Sequence, residues 1–313
     1  MSPKIFKISI VTPTYNEEEN IEKLINAVFM EINKIGCEYE HIIIDNSSTD
    51  NTVNILRKLA KENKNLKIII NSRNFGHIRS PIYGLFQTNG DAVILISADF
   101  QDPVELIHQY ISEWKVGYDI VLGKKKSTEE NFLIFKMRSF FYKFINFISE
   151  TNLTMDTTGS GLFDKKIIEI IKKIDDPYPY FRGLLSEITS NIKLVEFNQP
   201  KRKFGKTKNN FYTLYDLGIL GIIKHSKFPL RFITIVGFIS SILSFVVSIS
   251  FLFKKIFNWN SFDAGIAPLI VGLFFIASIQ IFLLGFIGEY VMNILLQTRK
   301  LPLVIEKERI NFK

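Results

Sequence analysis

The chain of 313 residues is 47% hydrophobic and holds 29 phenylalanines, yet its formal net charge is +8. So much aromatic surface excludes a disordered or collagen-like chain, and a mean hydropathy of +0.14 beside 22% charged residues implies that the apolar residues are concentrated in one region. A single cysteine, Cys37, excludes an intramolecular disulfide and gives no sign of an oxidising compartment.

The stretch Met1–Val11 is short, β-like and runs straight into polar residues. It lacks the apolar core and small-residue cleavage site of a secretion signal, so a cytosolic setting is expected. Short apolar runs then alternate with amphipathic patterns. The pattern predicts strands at Ile8–Thr12, His41–Asp45, Leu66–Asn71 and Ala92–Ala98, and helices at Glu17–Ile35, Thr49–Glu62 and Ile78–Thr88. Strands separated by helices of this length imply βαβ units, so residues 1–209 are expected to form an α/β domain with a mostly parallel sheet. In such sheets ligands bind beyond the carboxyl ends of the strands. Pro13, Thr14, Tyr15, Asn16 and Glu17 follow the first strand, Asp45, Asn46, Ser47 and Ser48 end the second, and Asp99, Phe100, Gln101 and Asp102 follow the fourth. Taken singly, Asp45 and Asp102 could equally be helix caps.

The second part of the chain has a different character. Asn210–Pro229 reads as an apolar stretch with polar interruptions, either a helix lying in a membrane interface or an ordinary domain helix, and residues 210–231 are assigned to it. Phe232–Phe253 and Ala264–Gly288 are free of charged residues and each is long enough to cross a bilayer, so residues 232–290 are expected to form a two-helix transmembrane hairpin. Lys224, Lys227 and Arg231 precede the hairpin, and Arg299, Lys300, Lys307 and Arg309 follow it. These flanks favour a cytoplasmic side for both ends and for a tail at 291–313, with Lys254 and Lys255 in the connection weighing against.

The ordered series PTYNEEEN (13–20), IDNSSTDNT (44–52), NSRNFG (71–76), GDAVILISADFQDP (90–103), GYDIVLG (117–123) and KRKFGKTK (201–208) resembles the family 2 glycosyltransferases of the GT-A fold. The LLGFIGEYV run (283–291) at the end of the hairpin is similar to the polyisoprenyl-phosphate branch, which includes bactoprenol glucosyltransferases and dolichyl-phosphate mannose synthases. This resemblance implies an inverting transfer of a hexose-type sugar from a nucleotide-diphosphate sugar, a UDP-sugar first of all, to a polyprenyl phosphate such as undecaprenyl phosphate. The catalytic domain would lie on the cytoplasmic face of the cytoplasmic membrane. It further implies Mg²⁺ or Mn²⁺ held by Asp99 and Gln101, catalytic roles for Asp99 and Asp156, and donor-nucleotide contacts from Pro13, Tyr15, Glu17, Asp45, Arg73 and Asn74. A lipid phosphate needs cations more than it needs a base, and Arg138, Arg202, Lys206 and Lys208 are the candidates, unless they are merely solvated or drawn to anionic head groups. Arg182 either binds phosphate or ties its loop.

The sequence departs from the family pattern at three places. Ser97 stands where an Asp is usual, Asn46 follows Asp45 where a second Asp is usual, and Gly159, Ser160 and Gly161 replace an acidic-Phe-Arg run. Two other readings stay open: an enzyme extending a different lipid-linked glycan and, given Ser97 and Asn46, an inactive membrane-anchored binding protein. The four histidines have no metal-ligand spacing. No nucleic-acid recognition motif accompanies the basic residues, and whether copies of the chain form a homo-oligomer is left open. The basic residues are themselves uneven. Residues 1–192 carry 23 Lys and Arg against 25 Asp and Glu, whereas residues 193–313 carry 16 against 6, so the most apolar part of the chain is also the most basic.

Overall fold

The computed structural model describes residues 6–127, 157–200, 218–224, 226–257, 266–299 and 301–312. Its first half follows the expected alternation: β1 (Lys7–Thr14), α1 (Ile21–Ile35), β2 (Glu38–Asp45), α2 (Thr52–Glu62), β3 (Leu66–Asn71), α3 (Gly76–Phe86), β4 (Ala92–Leu95) and α4 (Leu106–Val116). Then come β5 (Ile120–Ser127), β6 (Thr157–Asp164), α5 (Lys165–Ile174), α6 (Phe181–Ile188), β7 (Ile192–Asn198), the long helices α7 (Phe228–Phe257) and α8 (Ile266–Thr298), and β8 (Glu306–Ile310).

Among the described residues, eight strands make one sheet in the order β7-β5-β6-β4-β1-β2-β3-β8. Strands β3, β2, β1 and β4 are mutually parallel, β6 runs antiparallel to β4 and β5, and β8 runs antiparallel to β3. Side-chain alternation along β1 sends Ile8 and Ile10 to one face, against Leu24, Val28 and Ile32 of α1 and Ile107 and Ile111 of α4. Val11 faces the other way, toward Leu85 of α3, Ile167 and Ile171 of α5 and Leu184 of α6. On the first face Leu56 and Ala60 of α2 cover Ile43 and Ile68. The result is a sheet between two helical layers.

Burying one such aliphatic side chain contributes about 1.5–3 kcal/mol, more than the roughly 1 kcal/mol of a side-chain cap. Accordingly α1 to α4 form with no side-chain cap bond, and only α5 among these domain helices has one, Asp164 accepting from the Lys166 N–H at 2.9 Å. Helix α1 begins four residues later than its sequence pattern suggests, because the Glu17 carbonyl accepts the Asn20 and Ile21 N–H groups in a preceding turn. Gly161 explains part of the altered run in β6. A Cβ there would lie 2.3 Å from the Val121 carbonyl oxygen, so β5 and β6 can approach only over glycine.

The amino end of the sheet holds a buried carboxylate, Glu40, which accepts from Ser9 Oγ (2.6 Å), the Asn89 N–H (2.7 Å) and Lys67 Nζ (2.7 Å). Burial pushes the Glu40 carboxyl up, but these bonds and the Lys7 charge outweigh it and hold the group below its ordinary value. Beside it the buried His41 pairs with Thr12 Oγ1 at 2.9 Å, and desolvation lowers its pKa to about 3.

The C-terminal residues, read from the sequence as a tail, close the β3 edge. Tyr83 Oη donates to Glu306 at 2.8 Å, Arg57 pairs with Glu308 at 2.5 Å, and Asn311 Nδ2 donates to the carbonyls of Ala60 (2.7 Å) and Leu66 (2.8 Å). Just before β8, the Ser72 N–H donates to the Ile305 carbonyl at 2.9 Å and Arg79 donates to the Pro302 carbonyl at 2.6 Å. Between the sheet's two visits stand α7 and α8, of 30 and 33 residues. Their apolar side chains face outward: Phe275 is 66% and Ile281 69% exposed, and Phe275–Thr298 is long and apolar enough to cross a membrane.

Candidate functional site

The chain leaves β1 for β2 and β3 on one side and returns to β4 on the other. Sheets of this kind bind ligands in a crevice beyond the carboxyl ends of the strands where connections diverge, here those of β1 and β4. Three strand-exit loops meet there, and each contains a non-glycine residue in the left-handed region: Asn16 (φ 54°) after β1, Ser47 (φ 66°) after β2 and Phe100 (φ 57°) after β4. Such a conformation costs about 1–2 kcal/mol per residue, so surrounding bonds must hold it.

Those bonds cross from loop to loop. Asp45, fully buried, accepts from the Ser48 N–H at 2.9 Å and from Ser48 Oγ at 2.5 Å, and Ser48 Oγ in turn accepts the Asn16 N–H at 2.8 Å. Burial raises the Asp45 carboxyl above its ordinary value, and Asp50 adds to this, while the bonds from Ser48 and the Ser47 N–H work against it. Thr52 Oγ1 accepts the Glu17 N–H at 2.9 Å, and Asn16 Oδ1 accepts the Thr49 N–H at 2.7 Å. Tyr15, Pro13 and Glu17 stand half-buried along this seam. Asp45 thus spends its oxygens on tying the first two loops together.

The loop after β3 is held from beneath by Asn46. The exposed Arg73 lies over the Phe75 ring, 4.2 Å from its centroid, and Arg79 approaches the same ring at 5.3 Å. Asn74 is exposed beside them, with its Oδ1 accepting the Gly76 N–H at 2.8 Å.

On the β4 side, the Ile96 N–H donates to the Val11 carbonyl at 3.0 Å and keeps the exit of β4 against β1. Asp99, buried, accepts the Gln101 N–H at 3.2 Å on Oδ1. Ser97, in the place of an expected carboxylate, donates to Asp102 Oδ2 at 3.0 Å, and Ser160 of β6 donates to the same oxygen at 2.5 Å. The Tyr110 phenol lies buried near this group, its pKa pushed far up by burial and then by the Asp102 charge. Ser97 and Ser160, which read as two losses in the sequence, are one arrangement in space: two hydroxyls converging on one buried carboxylate. Arg182, at the start of α6, reaches Gly159, its Nε 3.8 Å from where a side chain on that residue would begin.

Pro13 and Asp45, at the carboxyl ends of β1 and β2, and Tyr15, Glu17, Arg73, Asn74, Asp99 and Gln101, on the loops beyond the strands, thus all fall at one end of the sheet. Asp156, Arg138, Arg202, Lys206 and Lys208 lie outside the described residues. Sequence reasoning did not single out Ser48, Asn71 or Ser160 as supports of the loops. Their signal was only their nearness to the motifs.

The model of the glycosyl transferase family 2 matches residues 9–171, the segment that supplies these strand ends. A bactoprenol glucosyl transferase of Shigella phage SfX is 33% identical over 97% of this chain and 99% of its own. The chain belongs to glycosyl transferase family 2. Its relatives within the family also include an uncharacterised glycosyltransferase of Synechocystis, 33% identical over 96% of this chain and 94% of that protein. A prophage bactoprenol glucosyl transferase homologue of Escherichia coli is 32% identical over 96% and 98%. Among solved structures, glucosyl-3-phosphoglycerate synthase from Mycobacterium tuberculosis in complex with UDP superposes with a TM-score of 0.51 at 17% identity. It covers 70% of this chain and 78% of that one. The sheet of this family 2 protein is therefore GT-A-like, as the motif series implied.

Proposed function

We propose that this family 2 protein transfers a hexose-type sugar from a UDP-sugar to a polyprenyl phosphate at the cytoplasmic face of the membrane, supplying a lipid-linked sugar for cell-surface glycan modification. The observation that carries this reading is the joining of two features in one chain. A strand-end crevice with Asp99 and Gln101 at its β4 side belongs to the same domain that anchors both outer ends of an apolar helix pair. The full-length likeness to relatives named for bactoprenol transfer supports the lipid acceptor.

The helix pair has a geometric consequence. Ahead of α7, Lys224 bonds Asp176 at 2.5 Å and the Tyr178 carbonyl at 2.6 Å; beyond α8, the chain enters the sheet as β8. Two ends fastened to one domain require an even number of crossings, which supports the hairpin. An α-helix of 30 residues extends about 45 Å, enough for a hydrocarbon core of about 30 Å.

In the reaction, an oxygen of the lipid phosphate attacks the anomeric carbon, the bond from that carbon to the nucleotide diphosphate breaks, and configuration inverts. The attacking oxygen is already anionic, so this chain's work is to orient and to balance charge. Asp99 and Gln101 are hard oxygen donors suited to Mg²⁺ or Mn²⁺. One or two protein oxygens suffice where the substrate phosphates complete the shell, and among the described residues no three of His, Cys, Asp and Glu gather to hold an ion by themselves. Such an ion, when bound, offsets the charge on the departing diphosphate. Ser97 is committed to Asp102, which leaves Asp99 as the carboxylate of the pair. Pro13, Tyr15, Glu17, Asp45, Arg73 and Asn74 wall or brace the nucleotide pocket. Arg138, Arg202, Lys206 and Lys208 attract the lipid phosphate, with Asp156 orienting it.

Incubating the purified protein with undecaprenyl phosphate and a panel of nucleotide sugars, followed by mass analysis of the lipid, tests the reading. One sugar-phosphate lipid above background is expected. Extension of a glycan with no sugar on the lipid phosphate would sink the assignment.

A further inference from the structure

The side chain of Asn46 meets four hydrogen-bonding partners. Its Oδ1 accepts the Phe75 N–H at 2.9 Å and Asn71 Nδ2 at 3.1 Å; its Nδ2 donates to Asn74 Oδ1 at 2.9 Å and to the Gly76 carbonyl at 3.2 Å. Two of these partners are backbone groups, and a backbone N–H can only donate while a carbonyl can only accept. The position therefore needs one acceptor atom and one donor atom on the same short, branched side chain, which an amide supplies and an ionised carboxylate does not. Asn74 reinforces the demand, since its Oδ1 already accepts the Gly76 N–H at 2.8 Å and presents an oxygen to Asn46. Asn71, fully buried, extends the arrangement by donating to Ser80 Oγ at 3.1 Å in α3. Asn46 itself is only 7% exposed, so each missing bond would leave a polar group without water.

We infer that Asn46 is a positioning residue for the donor loop: as a neutral amide it folds residues 71–76 so that Arg73 and Asn74 stand at the mouth of the nucleotide pocket, and an aspartate here would release that loop. This rests on the reading of the crevice as a nucleotide-sugar site. The carboxylate that the family pattern favours would set an anionic oxygen against Asn74 Oδ1 and the Gly76 carbonyl, repelling both. The substitution in this chain is thus matched to the loop it supports, and it also removes a negative charge from beside an anionic ligand.

The variant Asn46→Asp keeps the shape and removes the donor. Two readouts in the full-length protein in detergent separate the possibilities: UDP affinity by titration calorimetry and exchange protection of the Gly76 amide. At about pH 7.5 the variant is expected to bind UDP about tenfold more weakly than the native protein and to exchange Gly76 faster. Native affinity together with native Gly76 protection in the variant would overturn the inference. Faster Gly76 exchange with undiminished UDP affinity would overturn it too, because the loop would then be uncoupled from the donor. Failure of the native protein to bind UDP at all would instead count against the donor reading, while the exchange result would still report on the loop.

Discussion

The sheet domain and the helix pair solve opposite problems with the same residue types. In the sheet domain, isoleucine, leucine and valine turn inward and the charges that are buried, such as Glu40, are bonded from several sides. In α7 and α8 the same apolar residues turn outward: Phe238, Leu243, Phe275 and Ile281 are all more than half exposed. Outward apolar side chains on this scale suit hydrocarbon rather than water, in keeping with the membrane placement proposed for the pair. The difference divides the labour as well. On the proposed function, chemistry belongs to the polar strand ends, and the helices hold it where it meets a lipid.

The largest effect is expected at the strand ends. Asp99→Ala should lower sugar transfer to undecaprenyl phosphate by about a hundredfold or more, the scale on which a single charge-balancing group acts in a transition state. Steady-state rates at saturating donor check this, and a native rate would remove Asp99 from the site. The next test contrasts the two surfaces directly. Ile281→Arg should oppose membrane insertion by about 2.5–3.5 kcal/mol, whereas Val116→Arg, at an equally exposed apolar position of the sheet domain (77%), should change stability by only about 0.5 kcal/mol or less. Recovery in carbonate-washed membranes reads the difference, and equal recovery of both variants would erase the contrast.

The sheet domain has its own acid limit. His41 is neutral in the fold, with a pKa near 3, and charges at about 6.5 when unfolded, so the unfolded chain binds the extra proton first. Its contribution is complete above pH 6.5 and is lost as pH falls toward 3, at about 1.4 kcal/mol per pH unit. Melting curves between pH 7 and 5 should show the decline, and His41→Gln should flatten it. The smallest effect is expected at the sheet edge. Arg57→Ala removes a half-exposed pair with Glu308 and should cost under about 1 kcal/mol, measured as a small shift in Tm.

Much of this was legible in the sequence. The sequence pattern bounds Leu66–Asn71 as the structure does, because four apolar residues, Leu66, Ile68, Ile69 and Ile70, sit between polar turns, and the strand-end motifs fall together at one end of the sheet. Strand β8 was not legible. Its sequence, EKERI, has one apolar residue, and its stability comes from covering the edge of β3 with charged side chains rather than from a buried face. The same limit applied to the departures from the family pattern. Ser97 and Asn46 looked like lost charges along the chain, and only the positions of Ser160, Asn71 and Phe75, between 25 and 63 residues away, show what each side chain bonds instead.

One measurement bears most directly on the whole account. Purified protein is placed in vesicles containing undecaprenyl phosphate, supplied from outside with a sugar-labelled UDP donor and Mg²⁺, and the label is followed into the lipid fraction. The account predicts labelled lipid that requires both the lipid phosphate and the donor and that disappears in Asp99→Ala. Label released as free sugar, or passed to a water-soluble acceptor with the lipid phosphate making no difference, would contradict it.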